Sequence, residues 1–480
     1  MTPRSYSARL SQFHFLPVED LACAILFVFF AMQGSIPGIA PAQALEMTAS
    51  APNGLTTIGG VASQAIAYTL ILALILRRPR LVLRQTALVP WAGLLAILAV
   101  ASTAWSLDPV LTLRRSLPFA LAGLFGLWFS ARFTRCRQLA ILRLAMIALA
   151  LTTIAVVVFA PSIGLDHSPG HSTDWQGVFT QKNACGRIMV LATAVILFGE
   201  RLTASRLAAF ALFLFVLIMS RSRAAWLIEA ALLLLWLVLA IARRAGPRFR
   251  LVMAVAAPLA CVALGTAMVL GFYRLAALLS RDPTLSGRTA IWVQVGHFIV
   301  QHPLLGYGYD AFWRGTTGPS LQIDSAVHFF VVHAHNGFLE IALELGAAGL
   351  ALFVLSWLRA WRKLGPLWRR GEIDRIAWPL AIVILIALYD LDENTLLLYN
   401  GLFWILYVAA LAGIESASKP ALSEFAQRAS RMEPALSEFA QRASRMGDRH
   451  HTLAPQAHEI LTAYAKGARK FAEAAAREPS

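Results

Sequence analysis

Ala231-Leu-Leu-Leu-Leu-Trp-Leu-Val-Leu-Ala-Ile-Ala242 is a run of twelve residues without a single charge. A strand of an outer-membrane barrel alternates apolar and polar faces over about ten residues. This run does not alternate, so it reads as the interior of a helix. Extended back to residue 224, it approaches the roughly 20 apolar residues that cross a bilayer. Working outward in both directions, similar segments recur at 15–33, 57–76, 85–103, 113–130, 139–160, 184–200, 205–220, 251–272, 336–358, 376–390 and 400–414. The pattern predicts an all-α integral membrane protein with about twelve transmembrane helices.

Composition agrees. Of 480 residues, 58% are hydrophobic and only 14% charged, and the mean hydropathy is +0.63. Soluble globular chains carry about 25% charged residues. A soluble enzyme and a disordered chain are therefore excluded. Four cysteines (Cys23, Cys136, Cys185 and Cys261) exclude a disulfide scaffold; lying in or beside apolar runs, they read as buried thiols. The first apolar run reads as a first transmembrane helix rather than a cleaved leader.

The formal charge of +16 is large. Cytoplasmic loops of membrane proteins collect Lys and Arg, which explains it without nucleic acid. Alternate loops here are basic, for example at Arg77, Arg78 and Arg80 and at Arg243, Arg244, Arg248 and Arg250. With twelve spans, residues 1–14 and 415–480 fall on that same cytoplasmic side. Spans one to nine then occupy 15–272 and the last three 336–414. Two long segments face the other side: 161–183, and 273–335, which is long enough to form a lid containing short helices. The tail repeats the thirteen residues PALSEFAQRASRM at Pro420–Met432 and Pro434–Met446, the mark of a tandem duplication in a tolerant segment.

Some cations break the loop rule. Arg114, Arg115, Lys182, Arg187, Arg221, Arg223, Arg274, Arg281, Arg288 and Arg314 all fall on the translocated side. Cations at membrane edges are costly and mark function when they converge; singly, each can snorkel to lipid headgroups. Four motifs concentrate the chemistry. His333-Ala-His335-Asn336, followed by Glu340 and Glu344, stands where a loop enters a helix, and imidazole suits proton transfer near neutral pH. A metal site of His333 and His335 with Asp324 or His328, or a structural helix cap, are the competing readings, although no regular zinc spacing is present. Ser220-Arg221-Ser222-Arg223 offers two guanidiniums suited to oxyanions. Gly287-Arg288 opens a predicted helix with Ile291, Trp292, Val295 and Ile299 on one side. Lys182-Asn183 opens another. Asp390, Asp392 and Glu393 form an acidic cluster that reads as a divalent-metal holder or, more simply, as a turn or an arginine partner. No phosphate-binding glycine loop, G-x-S-x-G or HExxH occurs, which leaves nucleotide-driven transport without support.

The order of these motifs resembles the O-antigen ligase family, within the larger O-antigen ligase/polymerase superfamily. The residues that carry the resemblance are His335, Asn336, Gly346 and Gly349, then Ser222-Arg223-Ala224, Gly287-Arg288 with Trp292, His302-Pro-Leu-Leu-Gly-Tyr-Gly308, and Trp175–Gly186 with Lys182-Asn183. The resemblance implies a bacterial inner-membrane glycosyltransferase working at the periplasmic face. Such an enzyme moves a glycan en bloc from undecaprenyl pyrophosphate to lipid A-core, inverting the anomeric centre without metal or other cofactor. Carried onto this sequence, His335 becomes the general base, with Arg223 and Arg288 on the pyrophosphate. Arg221, Lys182, Arg187, Asn336 and His333 become further contacts, and Glu340 a residue orienting a histidine. The partners implied are the lipid-linked glycan, lipid A-core and membrane lipids, with no nucleic acid. A polymerase or a protein O-oligosaccharyltransferase using the same donor is the alternative; a lipid or solute transporter is the second, disfavoured by the lack of an inverted repeat.

Overall fold

The computed structural model describes residues 17–34, 54–167, 173–199, 202–254, 288–314, 317–328 and 330–418. Among them, regular structure is helical, apart from an isolated antiparallel bridge between Leu165 and Trp175. The helices are α1 (Val18–Ala31), α2 (Gly54–Arg77), α3 (Pro79–Thr86), α4 (Pro90–Ala101), α5 (Pro109–Arg132), α6 (Arg135–Phe159), α7 (Pro161–Gly164) and α8 (Lys182–Leu197). They continue as α9 (Ala204–Met219), α10 (Arg223–Arg244), α11 (Arg288–Gln301), α12 (Ser320–Val327), α13 (Gly337–Arg370), α14 (Ile373–Asp390) and α15 (Leu402–Ser418).

Every expected span except 251–272, which runs out of the described residues, contains a helix. Length narrows their number as spans. Five described helices are long and apolar enough to cross a membrane: 59–77 of α2, α5, α6, α10 and α13. The pair α3 and α4, bent by 102°, makes a sixth if taken as one broken span. At 1.5 Å per residue, α1 with 14 residues rises about 21 Å, short of a hydrocarbon core about 30 Å thick. By length and apolar character the described helices supply five or six spans of a multi-pass membrane protein; the other expected spans are shorter helices or, for 251–272, run out of the described residues. At the other extreme, α13 runs on to Arg370 through Arg359, Arg362 and Lys363, beyond the expected span 336–358.

The centre is α8. Every residue from Ala184 to Leu197 is buried, and the helix packs against α6, α9, α10 and α14. A helix apolar on all faces belongs inside a bundle. Its N-terminal turn carries Lys182, Asn183 and Arg187.

Helix α13 is broken. Gly346 adopts φ 62° and ψ −163°, which interrupts the ladder. In an apolar span, backbone groups that leave the helix need protein partners. Residues 303–308 supply them. Tyr307 N donates to Leu343 O (3.0 Å) and Gly308 N to Glu344 O (2.9 Å), while Ala347 N and Ala348 N donate to Pro303 O (2.8 Å) and Leu304 O (3.1 Å). A Cβ on Gly346 would lie 2.3 Å from the Leu304 carbonyl carbon, so the segment fits only against glycine. Gly346 thus accommodates a non-helical segment of chain inside the span.

The described part of the expected lid is anchored. Ile291, Val295 and Phe298 of α11 form a buried cluster with Tyr307, Phe312, Ile323, Val331, Ala334 and Leu343, the last belonging to α13. Ile299 packs at its edge. Cys23 and Cys185 are buried as expected, but Cys136 is exposed; Cys261 lies outside the described residues. The tail repeat and residues 1–14 also lie outside them, as do Arg274 and Arg281.

Candidate active site

The loop 330–336 is held rigidly between α11, α12 and α13. Val331 N donates to Asp324 Oδ1 (2.8 Å). Trp292 Nε1 donates to Ala334 O (3.0 Å), and Ala334 N donates to Glu340 Oε2 (2.7 Å). The other oxygen, Glu340 Oε1, accepts from Trp313 Nε1 at 2.5 Å. Asn336 then caps α13, its Oδ1 accepting from Phe338 N (3.1 Å) and Leu339 N (3.0 Å). These restraints fix His335 at φ 49°, in the left-handed region. Such a conformation costs a β-carbon-bearing residue about 1–3 kcal/mol and persists only where its surroundings impose it.

The imidazoles of His333 and His335 lie with ring centroids 4.1 Å apart, and both face Glu393 in the α14–α15 connection. Glu393 Oε2 is 3.6 Å from His333 Nε2 and 3.4 Å from His335 Nδ1. Its Oε1 accepts from Arg288 Nη2 (3.3 Å) and Asn183 Nδ2 (3.5 Å). Asn183 in turn accepts from Ser222 Oγ (2.9 Å), the residue before Arg223. Arg288 Nη1 donates to Asp392 O (2.7 Å) and to Asp392 Oδ1. Asn336 Nδ2 also reaches this turn, donating to Leu391 O (3.3 Å). The approach of α13 to it requires glycine at 337, where a Cβ would lie 2.5 Å from Asp390 Cγ.

Burial pushes the His333 imidazole down to about 3, with His335, Arg187 and Arg288 adding to the effect against the pull of Glu393. His333 is therefore neutral at pH 7. Burial alone would raise the Glu393 carboxyl, but its contact with His335 and the charges of His333, His335 and Arg187 outweigh this and hold it below the usual carboxylate range. Arg187 is 7% exposed; its guanidinium sits 5.7 Å from the Phe403 ring centroid, and its Nε meets no hydrogen-bond partner among the described residues.

The sequence-predicted residues thus divide. His333, His335 and Arg288 meet directly around Glu393, and Arg187 stands close enough to act on both Glu393 and His333. Lys182 and Arg221 gather instead on Asp174, at 2.7 and 3.7 Å, with Arg221 also donating to Thr173 Oγ1 (2.6 Å). Arg223 is exposed at the start of α10. Asn336 and Glu340 brace the loop; Glu340 holds the backbone between the two histidines and neither ring. Arg115 and Arg314 pair with Asp310 (3.1 Å) and Asp108 (3.2 Å).

The acidic cluster is an arginine and histidine partner in two of its members. Asp390 turns away, its Oδ1 accepting from Thr395 N (2.8 Å), Thr395 Oγ1 (2.6 Å) and Leu396 N (3.3 Å). Asp324 and His328 are likewise not companions of the histidines: Asp324 serves Val331, and His328 closes α12. Among the described residues, the donors that could hold a metal are His333, His335 and Glu393, whose ligand atoms lie within 4.8 Å of one another. Sequence reasoning did not join Glu393, Asn183 or Asp174 to the site. The available signal was charge: acids near membrane-edge arginines need cations as much as the arginines need acids.

Residues 208–354 match the O-antigen ligase family. Over 79 residues the chain is 39% identical to a Rickettsia prowazekii protein and 38% identical to a Rickettsia typhi protein, both with polysaccharide ligase in their names. Each match covers 16% of this chain and 20% of the relative, so it spans about a fifth of those proteins. The exopolysaccharide production protein ExoQ of Rhizobium meliloti is 29% identical over 331 residues, covering 64% of this chain and 72% of that protein. The family match takes in His333, His335, Arg288 and Arg223 but neither Arg187 nor Glu393. The family match and these relatives together make residues 208–354 the part of the chain that is similar to the O-antigen ligase family.

Proposed function

We propose that the protein is a polysaccharide ligase that transfers a glycan en bloc from undecaprenyl pyrophosphate to lipid A-core at the periplasmic face of the inner membrane. The carrying observation is the convergence of His335, His333 and Arg288 from separate elements on Glu393, beside the buried guanidinium of Arg187. His335 takes the proton of an acceptor sugar hydroxyl. The oxygen forms its bond to the anomeric carbon as the bond from that carbon to the phosphate oxygen breaks. The electron pair leaves with undecaprenyl pyrophosphate, the anomeric centre inverts, and the imidazolium returns its proton to solvent. Arg187, Arg223 and Arg288 stabilise the charge growing on the departing pyrophosphate. Lys182 and Arg221 extend the positive rim, and no metal takes part.

A second reading keeps the donor and changes the acceptor to another lipid-linked glycan, as a polymerase would. The longer match, to a protein named for exopolysaccharide production and not for ligation, supports it. The test is transfer in proteoliposomes given undecaprenyl-pyrophosphate glycan and lipid A-core, with chelator and without nucleotide. Product on lipid A-core supports the ligase. A lengthened glycan on the lipid carrier supports the polymerase, and no product with either acceptor overturns both.

A further inference from the structure

One hydrogen bond and two ion-pair contacts around the histidines bear on more than their positions. His335 N donates to His333 Nδ1 (3.1 Å). A ring nitrogen that accepts a backbone N–H carries no proton itself, so neutral His333 holds its proton on Nε2. That nitrogen faces Glu393 Oε2 at 3.6 Å. The same carboxylate oxygen faces His335 Nδ1 at 3.4 Å, and an ionised carboxylate offers acceptors only. The anionic oxygen beside His335 Nδ1 favours the proton on that nitrogen, although the two are not aligned as a hydrogen bond, and leaves the lone pair on Nε2. Glu393 is itself 4% exposed and held through Oε1 by Arg288 and Asn183, so it is not free to turn away.

The same relations speak against a metal on these donors. A ligating histidine donates its second ring N–H to a neighbour. His333 does the reverse, accepting at Nδ1, so its Nε2 is a donor rather than a ligand.

We propose that Glu393 is a positioning residue which sets the tautomers of both histidines and so makes His335 Nε2 the atom that receives the acceptor's proton. This rests on the reading of His335 as the base and adds which atom acts and what holds it there. The groups that interact with His335 are His333, Glu393 and Asp392, while Arg187 and Arg288 act on its neighbour His333. Of these, only Glu393 presents a carboxylate oxygen that is shared by both rings.

Two measurements test it. The first needs no variant: nitrogen NMR of the full chain with ¹⁵N-labelled histidine in nanodiscs, with His335 assigned by comparison with His335→Gln. The expected signal is a ring protonated at Nδ1 and bare at Nε2 above neutral pH. A ring protonated at Nε2 overturns the proposal whether or not the protein transfers glycan. The second is Glu393→Gln beside Glu393→Asp in the proteoliposome assay. An amide can present N–H as readily as C=O, so the fixed tautomer is lost. We expect kcat to fall about 10²-fold or more, a mixed tautomer signal, a shifted pH profile and little change in KM for the donor. Glu393→Asp should recover part of the rate. An unchanged kcat in Glu393→Gln overturns the proposal. So does a lower kcat with an unaltered tautomer signal, which leaves Glu393 a merely structural partner of Arg288. If wild-type protein transfers nothing, the function fails while the NMR result still decides the tautomer.

Discussion

Asp174 and Glu393 are both almost inaccessible carboxylates that draw basic groups from different parts of the chain, yet they leave different things behind. Asp174 takes Lys182 and Arg221 and is spent on neutralising them. Glu393 divides its two oxygens: Oε1 holds Arg288 and Asn183, and Oε2 faces two imidazoles. Asp174 therefore anchors a loop to the start of α8 and the α9–α10 turn. Glu393 joins a cation to a proton acceptor, near the buried guanidinium of Arg187, whose Nε meets no hydrogen-bond partner among the described residues. Counting ion pairs makes the two alike; which oxygen meets which atom separates them.

The sharpest way to break this contrast is His335→Ala. Transfer should fall about 10²- to 10⁴-fold with normal protein levels in the membrane. A wild-type rate would remove the base from the Glu393 side. Arg288→Lys comes next. A single ammonium cannot span Asp392 and Glu393 as the planar fork does, and the rate should drop at least about tenfold; steady-state kinetics at saturating acceptor would read it. Gly337→Ala tests the contact that brings the histidine loop to the Glu393 turn. The added methyl must displace Asp390, lowering stability by about 1–3 kcal/mol, which thermal unfolding in detergent would register.

Asp174→Asn should do less. It loosens Lys182 and Arg221 but leaves the histidines untouched, so a change of only a few-fold in kcat/KM is expected, carried mainly by KM. A loss as large as that of His335→Ala would put the Asp174 group inside the catalytic machinery. A further prediction concerns pH and stability. The His333 imidazole titrates near 6.5 when unfolded and near 3 in the fold. Between these values the unfolded chain binds more protons, so stability is lost as pH falls through that window. Glu393, depressed in the fold, adds a loss at more acid pH, below the ordinary carboxylate value of 4.5. His333→Gln should flatten the dependence between pH 6.5 and 3 and leave the acid limb. An unaltered slope would mean His333 is not the buried neutral group described here.

Helices were legible where apolar runs were long: 224–242 became α10, and 139–160 became α6 with small changes of boundary. The extent of α13 was not, because a stretch of Arg and Lys reads as a loop although an amphipathic helix carries charges equally well. His335 and Arg288 were legible as chemistry from residue type and position at a loop-to-helix boundary. Arg115 could only be grouped with the cations of the translocated side, since nothing local shows that Asp310, far away in sequence, lies against it.

The sequence by itself determined the solvent of this protein and its helical class. A bilayer penalises every unpaired backbone group, and runs of apolar residues leave little but helices. It also determined which side chains can move a proton or bind a phosphate, because that is a property of residue type. Only the tertiary structure decided that Glu393 rather than Asp324 or His328 faces the histidines, that Lys182 and Arg221 belong to Asp174, and that residues 303–308 fill the break at Gly346. Each of these joins groups remote in the chain, and electrostatic and hydrogen-bond energies depend on distances of a few ångströms that no local pattern encodes.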